Sequence, residues 1–149
     1  MRPTPRPPHR GSRAERAGAD PRRAVGRRGE TLAAEHFRRR GFALLARNVR
    51  TRHGEIDLIV FDGDALVFCE VKCRRVRRDG DTNDPSRQPL ASIGARKRAR
   101  LRRLAAAWLG DPGHRRPAAR LIRFDAIGVS VDARGRLLAL EHVVSGASP

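Results

Sequence analysis

Charged residues inside apolar, strand-like runs are the first feature of this sequence that could do chemistry. Asp57 lies within the run Glu-Ile-Asp-Leu-Ile-Val-Phe at 55–61, and Glu70 and Lys72 lie within the run Ala-Leu-Val-Phe-Cys-Glu-Val-Lys at 65–72. Because side chains alternate between the faces of a strand, Glu70 and Lys72 share one face and the opposite face is wholly apolar. An unpaired charge in such a run is costly to bury. A neighbouring lysine or a divalent cation would compensate it.

A fourth candidate, Glu30, belongs to a segment with helical periodicity. Glu30 lies beside the apolar stripe of this segment rather than clearly on its solvent side. If the helix crosses the following strands, Glu30 approaches Asp57 and Glu70. Such a cluster suits Mg²⁺ or Mn²⁺, with Asp57 and Glu70 as ligands, and Lys72 would serve the attacking water. The catalytic candidates are therefore Glu30, Asp57, Glu70 and Lys72, and the alternative for the last three is a buried structural ion pair.

The elements that position these residues follow from apolar periodicity and turn residues. Asp62-Gly63-Asp64 between two apolar runs predicts a hairpin, and Gly41 predicts the end of the first helix. The predicted order is helix, three strands, helix, two strands, which favours an α/β layered domain with a mixed sheet flanked by helices. The predicted bounds are 24–40 and 92–109 for the helices, 42–49, 55–61, 65–72, 121–131 and 137–144 for the strands, and 74–89 for a polar loop.

Composition sets the class of protein. The 149 residues carry 33 Lys and Arg against 16 Asp and Glu, a formal charge of +17. Residues 1–23 are rich in Arg and Pro and nearly free of large apolar residues, which predicts a disordered basic arm before one domain at 24–149. No apolar run approaches the roughly 20 residues of a membrane span, and no secretory signal is present. We therefore expect no membrane partner and a cytoplasmic location.

The positive charge predicts a polyanionic partner, and nucleic acid is the commonest one. The residues predicted to hold the phosphate backbone follow the candidate site or lie on the second helix: Arg74, Arg75, Arg96, Lys97 and Arg98. Aromatic residues make up only 4% of the chain, which argues against a single-strand binder built on base stacking. Only two of the 33 basic residues are lysine, so a biased genome and a solvated arginine surface remain an alternative explanation.

Five segments of the chain resemble the uncharacterised bacterial YraN-type family, over about residues 25–144. They are Gly29-Glu30, the stretch Gly54-Glu55-Ile56-Asp57-Leu58-Ile59, Glu70-Val71-Lys72, the spaced residues Lys97, Leu101 and Ala106-Ala107-Trp108-Leu109, and Arg123-Phe124-Asp125-Ala126-Ile127. That family is placed in the restriction-endonuclease-like superfamily, whose motif is an acid followed by (D/E)-x-K on the next strand. It is also described as distantly similar to archaeal Holliday-junction resolvases.

The resemblance implies a restriction-endonuclease-like, metal-dependent nuclease fold with Glu30, Asp57, Glu70 and Lys72 as its active-site set. Resolvases act as symmetric dimers, so the analogy alone suggests a homodimer. The leading hypothesis is a Mg²⁺-dependent DNA endonuclease, with DNA favoured over RNA and branched or structured DNA as the candidate substrate. Two alternatives stay open: a non-catalytic nucleic-acid-binding accessory protein that retains the fold, and a basic domain that meets a protein partner.

One acidic residue is assigned a structural role instead. Asp125 lies two residues from Arg123 in a predicted strand. We interpret the two as a structural ion pair or hydrogen bond rather than as part of a catalytic site.

Overall fold

A computed structural model describes residues 20–76 and 94–148 of the chain, and within these ranges it forms two helices and five strands. The helices are α1 (Pro21–Arg39) and α2 (Ala95–Leu109). The strands are β1 (Ala43–Thr51), β2 (Gly54–Phe61), β3 (Ala65–Arg75), β4 (Leu121–Val131) and β5 (Leu137–Ser148). The predicted order of elements is confirmed.

The five strands form one mixed sheet in the order β1-β2-β3-β4-β5. Neighbouring strands are antiparallel except β3 and β4, which run parallel in register from Ala65↔Leu121 to Arg75↔Val131. Helix α1 packs on one face and α2 on the other, so two separate apolar cores form. This confirms the predicted α/β layered fold, which is compatible with a restriction-endonuclease-like arrangement. In the described ranges neither helix has the length and apolar character needed to cross a membrane.

Local sequence signals set both ends of α1. Asp20 accepts a hydrogen bond from the backbone N–H of Arg22 at 3.0 Å, and Pro21 occupies the first helical position, where no donor is lost. At the other end Gly41 has a φ of +85°, and the Phe42 N–H bonds the Phe37 carbonyl at 3.1 Å, a Schellman ending. The helix therefore begins three residues before the predicted boundary of the basic arm. Residues 1–19 of that predicted arm lie outside the described ranges.

Strand β3 is longer than predicted. Arg74 and Arg75 were expected to open a polar loop, but they are the last residues of β3, paired with Ser130 and Val131 of β4. The prediction was wrong because the parallel neighbour, which is distant in sequence, extends the ladder past the apolar run. The rest of the predicted loop, at 77–89, lies outside the described ranges. Other bounds also differ: β5 extends to Ser148 rather than 144, α2 begins at Ala95 rather than 92, and β1 ends at Thr51 rather than 49. The ends of α1 and β2 differ by one residue, at Arg39 and Gly54.

Candidate active site

Asp57 lies where β2 changes the face it presents. Regular alternation would place Ile56 and Leu58 on one face, because they are two residues apart. Instead Ile56 packs in the core beneath α2 and Leu58 packs in the core beneath α1. The paired register of β2 with β3 runs from Phe61 to Leu58. Asp57 is therefore the first residue beyond the regular ladder, at the point where the strand turns.

The side chain of Asp57 takes part in the contact between β2 and β3. Its Oδ2 accepts a hydrogen bond from the backbone N–H of Val71 at 2.7 Å. Val71 is the residue between Glu70 and Lys72, whose side chains pair with Nζ to Oε1 at 3.0 Å. Glu70 is buried, whereas the Lys72 side chain is 40% exposed. The acid of one strand and the Glu-x-Lys of the next thus meet, as the sequence predicted.

The electrostatics at Asp57 are those of a crowded acidic cluster. Burial raises the pKa of Asp57 from 3.8 to about 6, although the hydrogen bond from Val71 acts in the opposite direction. The charges of Glu70 and Glu30 raise the pKa further, and Lys72 lowers it. A perturbed carboxyl with several charged neighbours is typical of functional sites. Because its charge raises the pKa of Asp57, Glu30 lies close enough to Asp57 to interact with it electrostatically.

A close helix–strand contact positions Glu30. Gly29 of α1 lies directly against Cys73 of β3, so that a Cβ at position 29 would overlap the Cys73 side chain and lie 2.9 Å from its Sγ. This contact carries the next residue of the helix, Glu30, to the end of the sheet at which Asp57 lies. Glu30 Oε2 is buried and accepts no hydrogen bond from any residue that the structure describes.

The residues present fit a hard divalent cation. Asp57, Glu70 and Glu30 offer carboxylate oxygens, the ligands that Mg²⁺ takes, and Lys72 is the cation that lowers the pKa of Asp57. No residue in the described part of the chain donates to the buried Oε2 of Glu30, and a metal-bound water would supply such a donor. In the described ranges no three His, Cys, Asp or Glu side chains are grouped closely enough to hold a metal by themselves. The donor set is therefore that of a site with one or two carboxylates, completed by water and substrate phosphate.

A basic pocket of about 470 Å³ lies beside Glu30. Its charged and polar lining residues are Arg23, Arg27, Glu30, Asn48, Arg50 and Glu55. Sequence reasoning missed these arginines. Arg27 and Arg23 precede Glu30 by three and seven residues, and that helical spacing could have placed all three on one side of α1. Arg50 lies opposite Glu55 in the β1–β2 ladder and pairs with it at 3.5 Å.

The residues predicted to bind nucleic acid occupy two places. Arg74 and Arg75 end β3, immediately after Lys72. Arg96, Lys97 and Arg98 lie in the first turn of α2, where Arg96 and Arg98 are exposed. From the next turn, the Arg100 guanidinium lies over Gly54, since a Cβ there would be 2.7 Å from its Nη2. Helix α2 thus contributes a cation next to the first residue of β2.

Asp125 belongs to a second network, and its predicted ion pair with Arg123 is confirmed. Arg123 donates to both carboxylate oxygens of Asp125, at 3.0 and 2.8 Å. His142 Nε2 lies 2.7 Å from Asp125 Oδ2, and His142 Nδ1 lies 3.1 Å from His36 Nε2. The buried Asp125 carboxylate therefore links β4, β5 and α1.

Comparison with known proteins identifies the family. Residues 29–129 match the family model described as "Uncharacterised protein family UPF0102". The chain belongs to the UPF0102 family. It is 44% identical over 120 residues to a UPF0102 protein of Frankia casuarinae, covering 80% of this chain and 92% of that one. It is 46% identical over 114 residues to a UPF0102 protein of Streptomyces griseus, covering 76% and 88%.

The UPF0102 match confirms the resemblance to the YraN-type family that the sequence segments predicted. The matched range includes Glu30, Asp57, Glu70 and Lys72. It begins at the Gly29 contact and ends within β4, so most of the basic pocket's α1 residues and all of β5 lie beyond it. The acidic cluster is thus within the part of the chain that the UPF0102 model describes.

Proposed function

We propose that this UPF0102 protein is a Mg²⁺-dependent endonuclease that hydrolyses phosphodiester bonds in DNA. The observation that carries the proposal is the meeting of Asp57 with the Glu-x-Lys of β3: Asp57 Oδ2 accepts the Val71 N–H at 2.7 Å, and Lys72 Nζ lies 3.0 Å from Glu70 Oε1. Glu70 and Glu30 act on Asp57 as like charges, and Lys72 acts on it with the opposite sign. A bound divalent cation would offset the negative charge of these carboxylates and would also bind a substrate phosphate.

Asp57 and Glu70 would hold the Mg²⁺ or Mn²⁺ ion. When bound, the metal supplies an acidified water and stabilises negative charge on the phosphate in the transition state. Glu30 Oε2, buried and without a donor in the described structure, would accept a hydrogen bond from the attacking water and orient it. The Val71 N–H holds the Asp57 carboxylate in place at 2.7 Å before any ligand arrives.

Lys72 has a separate task. Its Nζ donates to Glu70 Oε1 at 3.0 Å, which leaves two further N–H donors on an ammonium that is partly exposed. Those donors can hold the water or a non-bridging phosphate oxygen. The positive charge then lies where negative charge develops in the transition state.

The basic pocket explains how a polyanion could reach an acidic cluster. Arg23, Arg27 and Arg50 surround the approach to Glu30, and Arg74 and Arg75 follow Lys72. Arginines in these positions would hold phosphates on either side of the scissile bond without reading sequence. We take DNA as the substrate, with branched or structured DNA as the leading form, because the superfamily resemblance implies it.

A cleavage assay tests the proposal. Labelled single strands, duplexes, flaps and four-way junctions are incubated with Mg²⁺ or Mn²⁺, and binding is followed in parallel by fluorescence anisotropy. The proposal expects metal-dependent cleavage of at least one substrate, lost in Asp57→Asn with binding retained. Asp64→Asn is the matched control, because Asp64 is an exposed acid that pairs with Arg120. No cleavage of any substrate by the wild type would overturn the proposal.

One observation favours a second candidate, a nucleic-acid-binding accessory protein without catalysis. Lys72 and Glu70 form an ion pair with each other, with Nζ 3.0 Å from Oε1. In addition, no three candidate ligands are grouped as a complete metal site in the described ranges. In that case Glu70 and Lys72 neutralise each other and the arginines alone contact nucleic acid. Tight binding of DNA that needs no metal and never leads to cleavage would favour this candidate.

A further inference from the structure

The two edges of the sheet differ in how they are protected. Strand β1 has a bulge at Leu45, where the register shifts between Leu44 and Ala46, and a left-handed residue at Asn48, with a φ of +50°. It also carries the exposed Arg47 and Arg50. Bulges and charged side chains are devices that prevent an edge strand from pairing with another chain.

Strand β5, at the other edge, lacks this protection over its central part. Residues 139–144 pair with 125–130 of β4 without a register shift, so the outer side of this stretch is a regular edge that no strand of the described ranges pairs with. Four of the five exposed large hydrophobic residues in the described ranges belong to this strand, with exposed fractions between 41% and 53%. They are Leu137, Leu138, Val143 and Val144. Val143 and Val144 are adjacent and therefore point to opposite faces.

Strand β5 also differs from the rest of the chain in its lack of positive charge. From Leu137 to Pro149 the sequence has no lysine or arginine, in a chain with 33 of them. Its charged residue is Glu141, and His142 faces inward to Asp125 and His36. Two molecules of charge +17 repel each other over most surfaces. Residues 137–149 add no positive charge to that repulsion.

We propose that β5 is a self-association edge, at which a second copy of this chain adds its own β5 antiparallel about a two-fold axis. The two sheets would join into one of ten strands, and each copy would cover Val143 and Val144 of the other. A second copy is the occupant favoured by charge. An acidic protein would be drawn to the arginine-rich surfaces, not to a strand that offers no basic residue. A symmetric pairing also uses the same exposed edge on both copies.

The strand register also fixes how the two candidate active sites of this dimer are spaced. This step of the argument rests on the proposed function. Glu70 lies opposite Ala126, and Ala126 lies opposite Val143, so the acidic cluster and the exposed edge are at the same level of the sheet. With about 4.8 Å between strands, five strand spacings separate the two copies of β3 by roughly 24 Å. Both sites would lie in one continuous sheet and could meet two phosphodiesters of a single nucleic acid.

Sedimentation velocity of the full chain tests the proposal, at a salt concentration that screens surface charge. The wild type is expected to approach twice its 16.6 kDa chain mass as its concentration rises over about 1–100 μM. Val144→Lys should weaken the dimer by at least about tenfold, because each copy then places a charge at the joined edges. Leu45→Lys on β1 is the matched control, since Leu45 is 39% exposed on the protected edge.

A second measurement does not depend on a variant. In the wild type, hydrogen exchange of the amides in 139–144 should slow as the concentration rises, while that of β1 amides stays constant. A wild type that remains at the monomer mass over the whole range would overturn the proposal. So would a Leu45→Lys variant that dissociates as readily as Val144→Lys. Neither measurement involves cleavage, so failure of the dimer and failure of the proposed nuclease are distinguishable.

Discussion

Asp57 Oδ2 accepts the backbone N–H of Val71 at 2.7 Å, which ties the acid of β2 to the residue between Glu70 and Lys72 of β3. The bond fixes the carboxylate before any ligand binds. An asparagine at position 57 can keep this hydrogen bond through its side-chain oxygen while losing the charge. Asp57→Asn therefore removes the negative charge at position 57 and keeps the hydrogen bond from the Val71 N–H.

The first prediction concerns the stability of Asp57→Asn. The pKa of Asp57 is raised from 3.8 to about 6, so the folded protein retains a proton that the unfolded chain releases between these pH values. The contribution of this group to stability is thus present below about pH 4 and is lost as the pH rises through about 6. At pH 7.5 the charged carboxylate costs up to about 3 kcal/mol, which the substitution removes.

Urea unfolding at pH 4 and at pH 7.5 measures this effect. Asp57→Asn should be more stable than the wild type at pH 7.5 and similar to it at pH 4. Asp132→Asn is a control of opposite sign, because hydrogen bonds from the Arg136 N–H and side chain lower the pKa of Asp132 to about 2. That substitution should destabilise the protein at pH 7.5. An Asp57→Asn variant that is less stable than the wild type at both pH values would contradict the prediction.

The second prediction concerns metal. The proposed Mg²⁺ site exists in the folded protein and not in the unfolded chain, so saturating Mg²⁺ should raise the melting temperature of the wild type by a few degrees. Glu70→Gln should lose most of this shift, because it removes one of the two proposed ligands. Glu141→Gln on β5 should retain it. Equal shifts in all three proteins would show that Mg²⁺ acts elsewhere on the chain.

The third prediction compares the two lysines of the chain. Lys72→Ala should lower the single-turnover cleavage rate by about 100- to 1,000-fold, because it removes a cation at the position of developing charge. DNA affinity should change little. Lys97→Ala, in the first turn of α2, should instead weaken DNA binding by about threefold to tenfold with a nearly unchanged rate at saturation. The proposed division of roles fails if Lys72→Ala changes affinity alone.

The fourth prediction compares two glycines of α1. Gly29→Ala forces α1 away from Cys73 and should destabilise the protein by about 1–3 kcal/mol, while Mg²⁺ still raises the melting temperature because Asp57 and Glu70 are the proposed ligands. Gly26→Ala has open space and should stabilise the helix by about 0.5–1 kcal/mol. Thermal unfolding with and without Mg²⁺ measures both effects. A Gly29→Ala protein as stable as the wild type would show that the α1–β3 contact adjusts freely.

The fifth prediction concerns the buried Asp125. Asp125→Asn leaves the Arg123 guanidinium with only its longer ion pair to Asp62, at 3.7 Å, and weakens the contact with His142, so we expect a loss of about 3–5 kcal/mol. Asp64→Asn removes an exposed ion pair with Arg120 and should cost less than about 1 kcal/mol. Equilibrium urea unfolding gives both values. Equal and small losses would mean that the buried network adds nothing to stability.

The local parts of this fold could be predicted from the sequence. Helix ends depend on nearby residues such as Pro21 and Gly41, and strands depend on short apolar runs, so element order and the meeting of Asp57 with Glu70 and Lys72 follow from local patterns. The turn of β2 at Asp57 does not follow from them, because strict alternation puts Ile56 and Leu58 on one face.

Contacts between distant elements could not be predicted in this way. Nothing local to Gly29 indicates that Cys73 lies against it, and His36 and His142 meet although 106 residues separate them. The extension of β3 to Arg75 likewise depends on β4. Packing between elements decides these features, and a pattern within one element carries no information about its partner.

The parallel pairing of β3 with β4 also has a consequence for how the site forms in time. Asp57 and Lys72 lie on consecutive strands, whereas Glu70 and Ala126 must meet across more than fifty residues of chain. Closing so long a loop is slow compared with forming a hairpin. A chain still on the ribosome, with β4 not yet made, would therefore bring its carboxylates and lysine together early. The pairing of β4 along β3 would follow, so the sheet around these residues would be completed after they have met.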